Sequence, residues 1–205
     1  MANFVKPVVN FGSGVGFALE GDIYTYIQDP IIRGPTQTAG YAYHMTVSGT
    51  SRSSFGGGIT GSSTRGTFNG NINMFVEQAE GWVISDYYTH SSHFGVFFLP
   101  AVSVDYAGHG IANMVFTGCQ FKDTQNNGEP VRSWSTNLNY MILQPMFYNC
   151  YMQAASNGGY AYQFDNPINR ISIVDGTAES TYGTYPINFG NGYNGVICGV
   201  NVIDH

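Results

Sequence analysis

The sequence predicts an all-β chain wound as a parallel solenoid, with coils of about 24–32 residues. Composition is the first reason. Only 10% of the 205 residues are charged, while Gly (27), Tyr (15) and Phe (14) are abundant. That palette suits pleated strands and tight turns and is poor for helices. Recurrence is the second reason. Met114–Phe121 (MVFTGCQF), Pro145–Met152 (PMFYNCYM) and Ser172–Glu179 (SIVDGTAE) share an apolar approach, a small or amide residue, and then Cys or Thr. With Cys119, Cys150 and Thr177 taken as equivalent, the intervals are 31 and 27 residues. Weaker copies put Tyr87 of Gly81–Tyr88 32 residues before Cys119, and Asn201 of Val196–Asp204 24 after Thr177. The third reason is spacing. Hairpin sandwiches turn every 8–12 residues or so, whereas these intervals fit about three short strands per coil. The Asn-Gly and Asp-Gly pairs, such as Asn127-Gly128 and Asp175-Gly176, also lack the symmetric alternating flanks of hairpin turns.

Taken in order, Asp22–Ile27 and Tyr41–Val47 alternate apolar and polar residues and are expected strands. Ser48–Gly70 is dominated by Gly, Ser and Thr, interrupted by Phe55, Ile59 and Phe68. It is expected to form short strands joined by small-residue turns. Residues 1–70 are therefore taken as a Gly/Ser-rich β segment leading into a solenoid at 71–205. In that second part Ile72–Val76, Trp82–Ile84 and Gly95–Leu99 are expected as successive strands of one coil. Ile111–Phe121, Tyr140–Met152, Ile171–Val174 and Val196–Ile203 head the later coils. Polar loops Lys122–Leu138, Gln153–Gly159 and Glu179–Tyr185 separate them. At most a short helix is expected, near the beginning.

A net charge of −6 and a pI near 5.1 exclude nucleic acid as a main partner, because phosphate binding needs clustered Lys and Arg. Seven basic residues scattered from Lys6 to Arg170 form no such cluster. Aromatic faces and amides suit a neutral or lightly charged sugar polymer, whose rings stack and whose hydroxyls accept and donate hydrogen bonds. Cys119, Cys150 and Cys198 fall inside the apolar phrases and are expected as buried, reduced thiols. No run of about 18 apolar residues exists, so no membrane span is expected, and the amino terminus lacks a Sec signal.

The phrases Phe116–Phe121 and Phe147–Met152 resemble the coils of right-handed parallel β-helices. The nearest match is the pectate-lyase-like superfamily, which includes bacteriophage tailspikes and capsule depolymerases. The resemblance covers residues 71–205 and is a pattern of coils, not a catalytic motif. It implies binding or cleavage of polysaccharide and, in the phage members, a trimer. The chain stops directly after a coil phrase at Ile203–His205, without a polar cap. It is therefore expected to be a piece of a longer protein or to be covered there by another chain, unless the final strand pairs sideways with the early region.

Glycoside hydrolysis needs two carboxylates about 5–9.5 Å apart on an accessible face. The carboxylates available are Asp86, Asp105, Asp123, Glu129, Asp165, Asp175 and Glu179. Asp86, Asp123 and Glu129 are the catalytic candidates. Asp86 is aligned with the turn residues Gly118, Asn149 and Gly176. Asp123 and Glu129 share the longest polar loop with Arg132 and Trp134, a set able to clamp a sugar or simply to form a local ion pair. Tyr87, Tyr88, Arg132 and Trp134 are the carbohydrate-binding candidates. His90, His93 and His109 lack the three-ligand pattern of catalytic zinc, so no metal is expected, and no motif implies a cofactor. The resulting expectation is a virion-borne tailspike or fibre domain, or a cell-surface or secreted one without a Sec signal. It would recognise bacterial surface polysaccharide as a trimer. A glycan hydrolase or lyase of the same fold, and a purely structural fibre segment, are the alternatives.

Overall fold

A computed structural model describes residues 1–10, 14–21, 23–33, 40–46, 54–61, 72–90, 93–101, 110–122, 128–135, 137, 139–154, 159–180 and 186–204. The fold is all-β, and no helix occurs among the described residues, hence none long and apolar enough to cross a membrane. Among the described residues every strand pairing is parallel and links one pass of the chain to the next. From Ala79 onward a larger sheet carries three strand segments per pass, Val8–Asn10 and Ile31–Arg33 pair as a separate two-stranded sheet, and a seven-stranded sheet runs from Val15–Glu20 to Ile187–Phe189. Both ladders cross position 70 without a break. Tyr41–Thr46 pairs Ile72–Val76, and Ser54–Thr60 pairs Ala79–Ser85.

Parallel pairing in register places like residues above one another, so the interior is built of columns. Phe4, Ile27, Ile59, Ile84, Phe116, Phe147, Ile173 and Ile197 form one column through eight passes. From Ile27 to Ile173 its members are almost wholly buried. Phe116 and Phe147 stack at 4.9 Å and 10°, and Phe147 meets Tyr162 of the facing sheet edge-on at 5.2 Å. This apolar layer between the two sheets is the core, and removing its surface from water supplies the main driving force.

Two corners bend the larger sheet, and each is a column of left-handed residues. Lys6, Asp29, Gly61, Asp86, Gly118, Asn149, Asp175 and Gly199 make the first, with φ between 47° and 91°. Backbone hydrogen bonds run through it, from Asp86 N–H to Thr117 O at 2.9 Å and from Gly118 N–H to Tyr148 O at 3.0 Å. Tyr24, Gly56, Gly81, Asn113, Gln144 and Arg170 make the second, with φ between 53° and 69°. Gly, Asn and Asp carry the smallest penalty there, which explains why the short polar residue recurs in each phrase.

The register corrects three expectations. Gly176, not Thr177, follows Cys119 and Cys150 in their column, because Tyr151 pairs Thr177 and the Thr177 amide donates to Cys150 O. Asp175, not Gly176, is accordingly the corner residue after Asn149. The true intervals from Cys150 are therefore 26 to Gly176 and 24 more to Val200. Ile72–Val76 and Phe94–Phe98 do not belong to one coil; they pair with each other on neighbouring passes, Val96 beside Met74. Cys119 and Cys150 are free and buried, as read from the sequence, whereas Cys198 is free but exposed, since its column (Thr117, Tyr148, Val174) points outward.

Close stacking leaves no room for a methyl group at Gly176, where a Cβ would lie 2.4 Å from the Cys150 carbonyl oxygen. Gly176→Ala is expected to cost about 1–3 kcal/mol by urea unfolding. Gly192→Ala would meet only open space but sits at φ +82°, so its cost is the left-handed penalty alone, about 1–2 kcal/mol. A smaller loss for Gly176→Ala than for Gly192→Ala would mean that adjacent passes are not in van der Waals contact at Cys150.

Candidate functional site

Outward columns carry the chemistry, because the inward ones are filled. On the seven-stranded sheet the outward column is His44, Phe75, Phe97, Arg132, Gln163 and Asn188. Its aromatic half is closely packed, His44 and Phe75 stacking at 4.9 Å and Phe94 and Phe97 meeting edge-on at 4.9 Å. Its polar half is centred on Arg132. The Arg132 Nη1 donates to both Glu129 oxygens at 3.0 and 2.9 Å, and Nη2 donates to Asp165 Oδ2 at 2.6 Å. Gln163 Nε2 supplies Asp165 Oδ1 at 3.2 Å. Glu129 is buried, whereas Arg132 and Asp165 each keep 22% of the side chain exposed.

Glu129 and Arg132 thus meet as expected from their spacing, but their carboxylate partner is Asp165 from the next pass. Asp123 lies outside the described residues, as do Asp105 and His109. Trp134 is 43% exposed and follows the strand Val131–Ser133. Its successor in the column is Asp165, since Ser133 pairs Phe164. Burial is the largest influence on Glu129 and pushes its carboxyl up to about 6; Arg132 acts the other way, and Asp165 adds to the rise.

A second outward row lies on the third segment of the larger sheet. Tyr88, Gln120, Tyr151 and Thr177 are consecutive partners, and beside them run Lys122, Gln153 and Glu179. The Lys122 ammonium sits 4.6 Å from the Tyr151 ring centroid and 5.9 Å from that of Tyr88. Cation–π attraction of this kind holds a Lys head between two rings. Glu179 accepts from the Tyr151 hydroxyl and, at 3.0 Å, from Gln153 Nε2. Aromatic, amide, cationic and anionic groups therefore alternate along a strip at the ~4.8 Å spacing of parallel strands. Tyr88 was expected from the sequence; Gln120, Lys122 and Gln153 were not. The signal was present in the intervals, because Tyr151 stands 31 places after Gln120, as Cys150 does after Cys119.

Tyr87 is a correction. It is fully buried, in contact with Tyr43 and Phe121, and its hydroxyl donates to Asn73 Oδ1 at 2.6 Å. Period-two alternation sends it inward where Tyr88 faces out, so it cannot meet a sugar. Asp86 is exposed and occupies the left-handed corner. Its Oδ1 lies over Gly118, 2.7 Å from where a Cβ there would stand, so its side chain caps the next corner. His93 packs edge-on against Phe94 at 4.2 Å. Among the described residues no group of three or more His, Cys, Asp or Glu side chains is disposed to hold a metal ion.

Comparison with protein-family models, with curated proteins and with solved structures finds no match to this chain.

The raised Glu129 gives a signed pH dependence. Unfolded, this carboxyl loses its proton around its ordinary 4.5; folded, it holds the proton to about 6. The folded state binds more protons in that window, so this group's contribution to stability falls as pH rises from 4.5 to 6 and is constant above. Glu129→Gln does not titrate. Its stability relative to the parent, from denaturant unfolding at pH 4.5, 6 and 7.5, should therefore rise across the first step and level off across the second. A fall across the first step would mean that Arg132 outweighs burial.

Proposed function

We propose that the chain is a right-handed parallel β-helical domain of the tailspike or fibre type, carried on a phage virion as a trimer. Its role is to bind bacterial surface polysaccharide along the outer strip of Tyr88, Gln120, Lys122, Tyr151 and Gln153. The parallel stacking of the passes supports the fold. Pectate-lyase-like kinship, handedness, trimer and phage origin rest on the resemblance of the coil phrases.

The observation that carries the reading is the strip itself. Tyr88 and Tyr151 are two passes apart, or about 9–10 Å along the stack, each half-buried on the outer face with the Lys122 ammonium against its ring and with amides in register between and beside them. Pyranose C–H faces stack on such rings while amides bond the hydroxyls. Lys122 adds a cation for a lightly acidic sugar. The strip is continuous because the register is continuous, which suits an extended polymer.

Tyr151→Ala and Tyr88→Ala are each expected to weaken binding to a capsular polysaccharide by about 3- to 10-fold, the worth of one aromatic contact. Isothermal calorimetry against a panel of bacterial capsules measures this. Absence of binding to every capsule and surface glycan would replace the reading with a structural fibre segment. Release of reducing ends from a bound capsule would replace it with a glycan-cleaving enzyme. Light scattering should give three times the 22.3 kDa chain mass, and a stable monomer would remove the trimer.

A further inference from the structure

We infer that a groove on the middle segment of the larger sheet is a second site, built for one uncharged sugar ring of the same polymer. The inference rests on the glycan reading above. The outward column of this segment runs Tyr26, Gly58, Val83, Val115, Met146, Ser172 and Val196. Gly58 is its one position without a side chain. Tyr26 and Val83 therefore flank Gly58 two strand spacings apart, about 9–10 Å, and the Tyr26 ring leans over the glycine. At the adjoining corner Tyr24 is likewise followed by Gly56 and Gly81, and the resulting groove encloses about 460 Å³. Its walls are Tyr24, Tyr26, Phe55 and Val83, each 42–45% exposed.

The glycines of the floor differ in their reasons. Gly56 and Gly81 sit at φ +61° and +69°, where side chains are strained, and a Cβ on Gly57 would strike the Thr25 carbonyl at 2.4 Å and the Trp82 ring at 2.9 Å. Those three answer to the fold. Gly58 differs, because its φ is ordinary and a Cβ would press only on the exposed Tyr26 ring, at 3.2 Å, with the Val83 carbonyl at an ordinary 3.5 Å. What glycine achieves at 58 is a low floor on which the Tyr26 ring lies close, beside a methyl-bearing wall.

The lining selects the occupant. Among the described residues it contains no charged side chain, so an ion entering there would lose hydration without a partner among them, and an uncharged ligand is favoured. Three exposed aromatic rings offer faces for C–H surface, and the hydroxyls of Tyr24, Tyr26 and Thr60 offer hydrogen bonds at the rim. A flat, polyhydroxylated ring uses both. Continuity points the same way. The pass that closes the groove at Val83 turns the corner at Asp86 and opens the strip at Tyr88. A polymer lying on the strip can continue across that corner, and a second foothold raises the affinity of the whole by effective concentration.

The test uses the full chain carrying fluorotyrosine, with resonances assigned by single Tyr→Phe changes. It is titrated with uncharged glucose-, galactose- and mannose-based pentasaccharides and, separately, with their uronic-acid counterparts. An uncharged pentasaccharide should shift the Tyr24 and Tyr26 signals in the parent and in Tyr151→Ala. Gly58→Leu, which fills the groove outside the core, should weaken that response at least tenfold while leaving shifts at Tyr88 and Tyr151 in place. Tyr26→Ala, a change at an exposed ring, should do the same and serves if Gly58→Leu fails to fold. Response at Tyr24 and Tyr26 to the uronic-acid set alone, or unchanged affinity in the folded variants, would overturn the inference. Shifts that follow protein concentration without sugar would assign the groove to a second copy of the chain and overturn it too. Shifts at Tyr24 and Tyr26 with none at Tyr88 or Tyr151 would uphold the groove and sink the strip; the reverse would sink the groove alone.

Discussion

The rest of the structure depends on one constraint, the in-register donation of each pass's backbone N–H groups to the carbonyls of the next. Because pairing is parallel and repeated, strand residues are committed to columns, with one register shift between Ile168 and Ile171, and a column has one environment. Inside, this makes Ile27, Ile59, Ile84, Phe116, Phe147 and Ile173 a continuous apolar row. Outside, the same constraint aligns Tyr88, Gln120 and Tyr151, and separately Phe97, Arg132 and Gln163. Core and binding surface are thus two faces of one register. Extra residues can enter only between strands, as they do between Lys122 and Val131.

Corners make that register possible. A strand turned without a hairpin needs a left-handed residue at the bend, at about 1–2 kcal/mol for an ordinary side chain. The first column meets this with Asp, Asn and Gly at seven of its eight positions, Lys6 being the exception. Asp and Gly also alternate usefully across passes. The carboxylates of Asp29, Asp86 and Asp175 lie where a Cβ on Gly61, Gly118 and Gly199 would be. Asp86 therefore has a structural explanation that requires no chemistry. The second column is less accommodating, with Tyr24, Gln144 and Arg170 held at positive φ. There the ladder itself imposes the conformation, through bonds such as Gln144 N–H to Asn169 O at 2.7 Å.

Much of this was legible in the sequence because the corner and the apolar column sit next to each other in the chain. Ile84-Ser-Asp86, Phe116-Thr-Gly118, Phe147-Tyr-Asn149 and Ile173-Val-Asp175 are one phrase read four times. What misled was chemistry at the following position. Thr177 resembles Cys more than Gly176 does, yet Gly176 is the residue that packs on Cys150. A slip of one position reverses every side chain, and the same parity separates buried Tyr87 from outward Tyr88. Before residue 70 the phrase is present as Ile27-Gln-Asp29 and Ile59-Thr-Gly61, but the Gly- and Ser-rich surroundings hide it. At the site, Glu129 and Arg132 are three residues apart and were visible as a local pair. Asp165 was not, although adding the 31-residue interval to Trp134 lands on it.

That interval also bears on what the carboxylates can do. An acid that protonates a glycosidic oxygen needs its own oxygen free to approach the bond, with a second carboxylate across the ring. Glu129 holds its proton to about 6, within the useful range, but both its oxygens accept from Arg132. Asp165 is held on the same guanidinium and by Gln163. Arg132 binds both carboxyls and ties the entry to the strand Val131–Ser133 to the end of Tyr162–Phe164 on the next pass. Arginine fits this role because its planar fork reaches two carboxylates at once. A network closed in this way keeps adjacent passes in register beside the exposed Trp134 ring. Rigidity of that kind lowers the ordering cost of holding a long polymer, and each carboxyl oxygen of the trio already accepts a hydrogen bond.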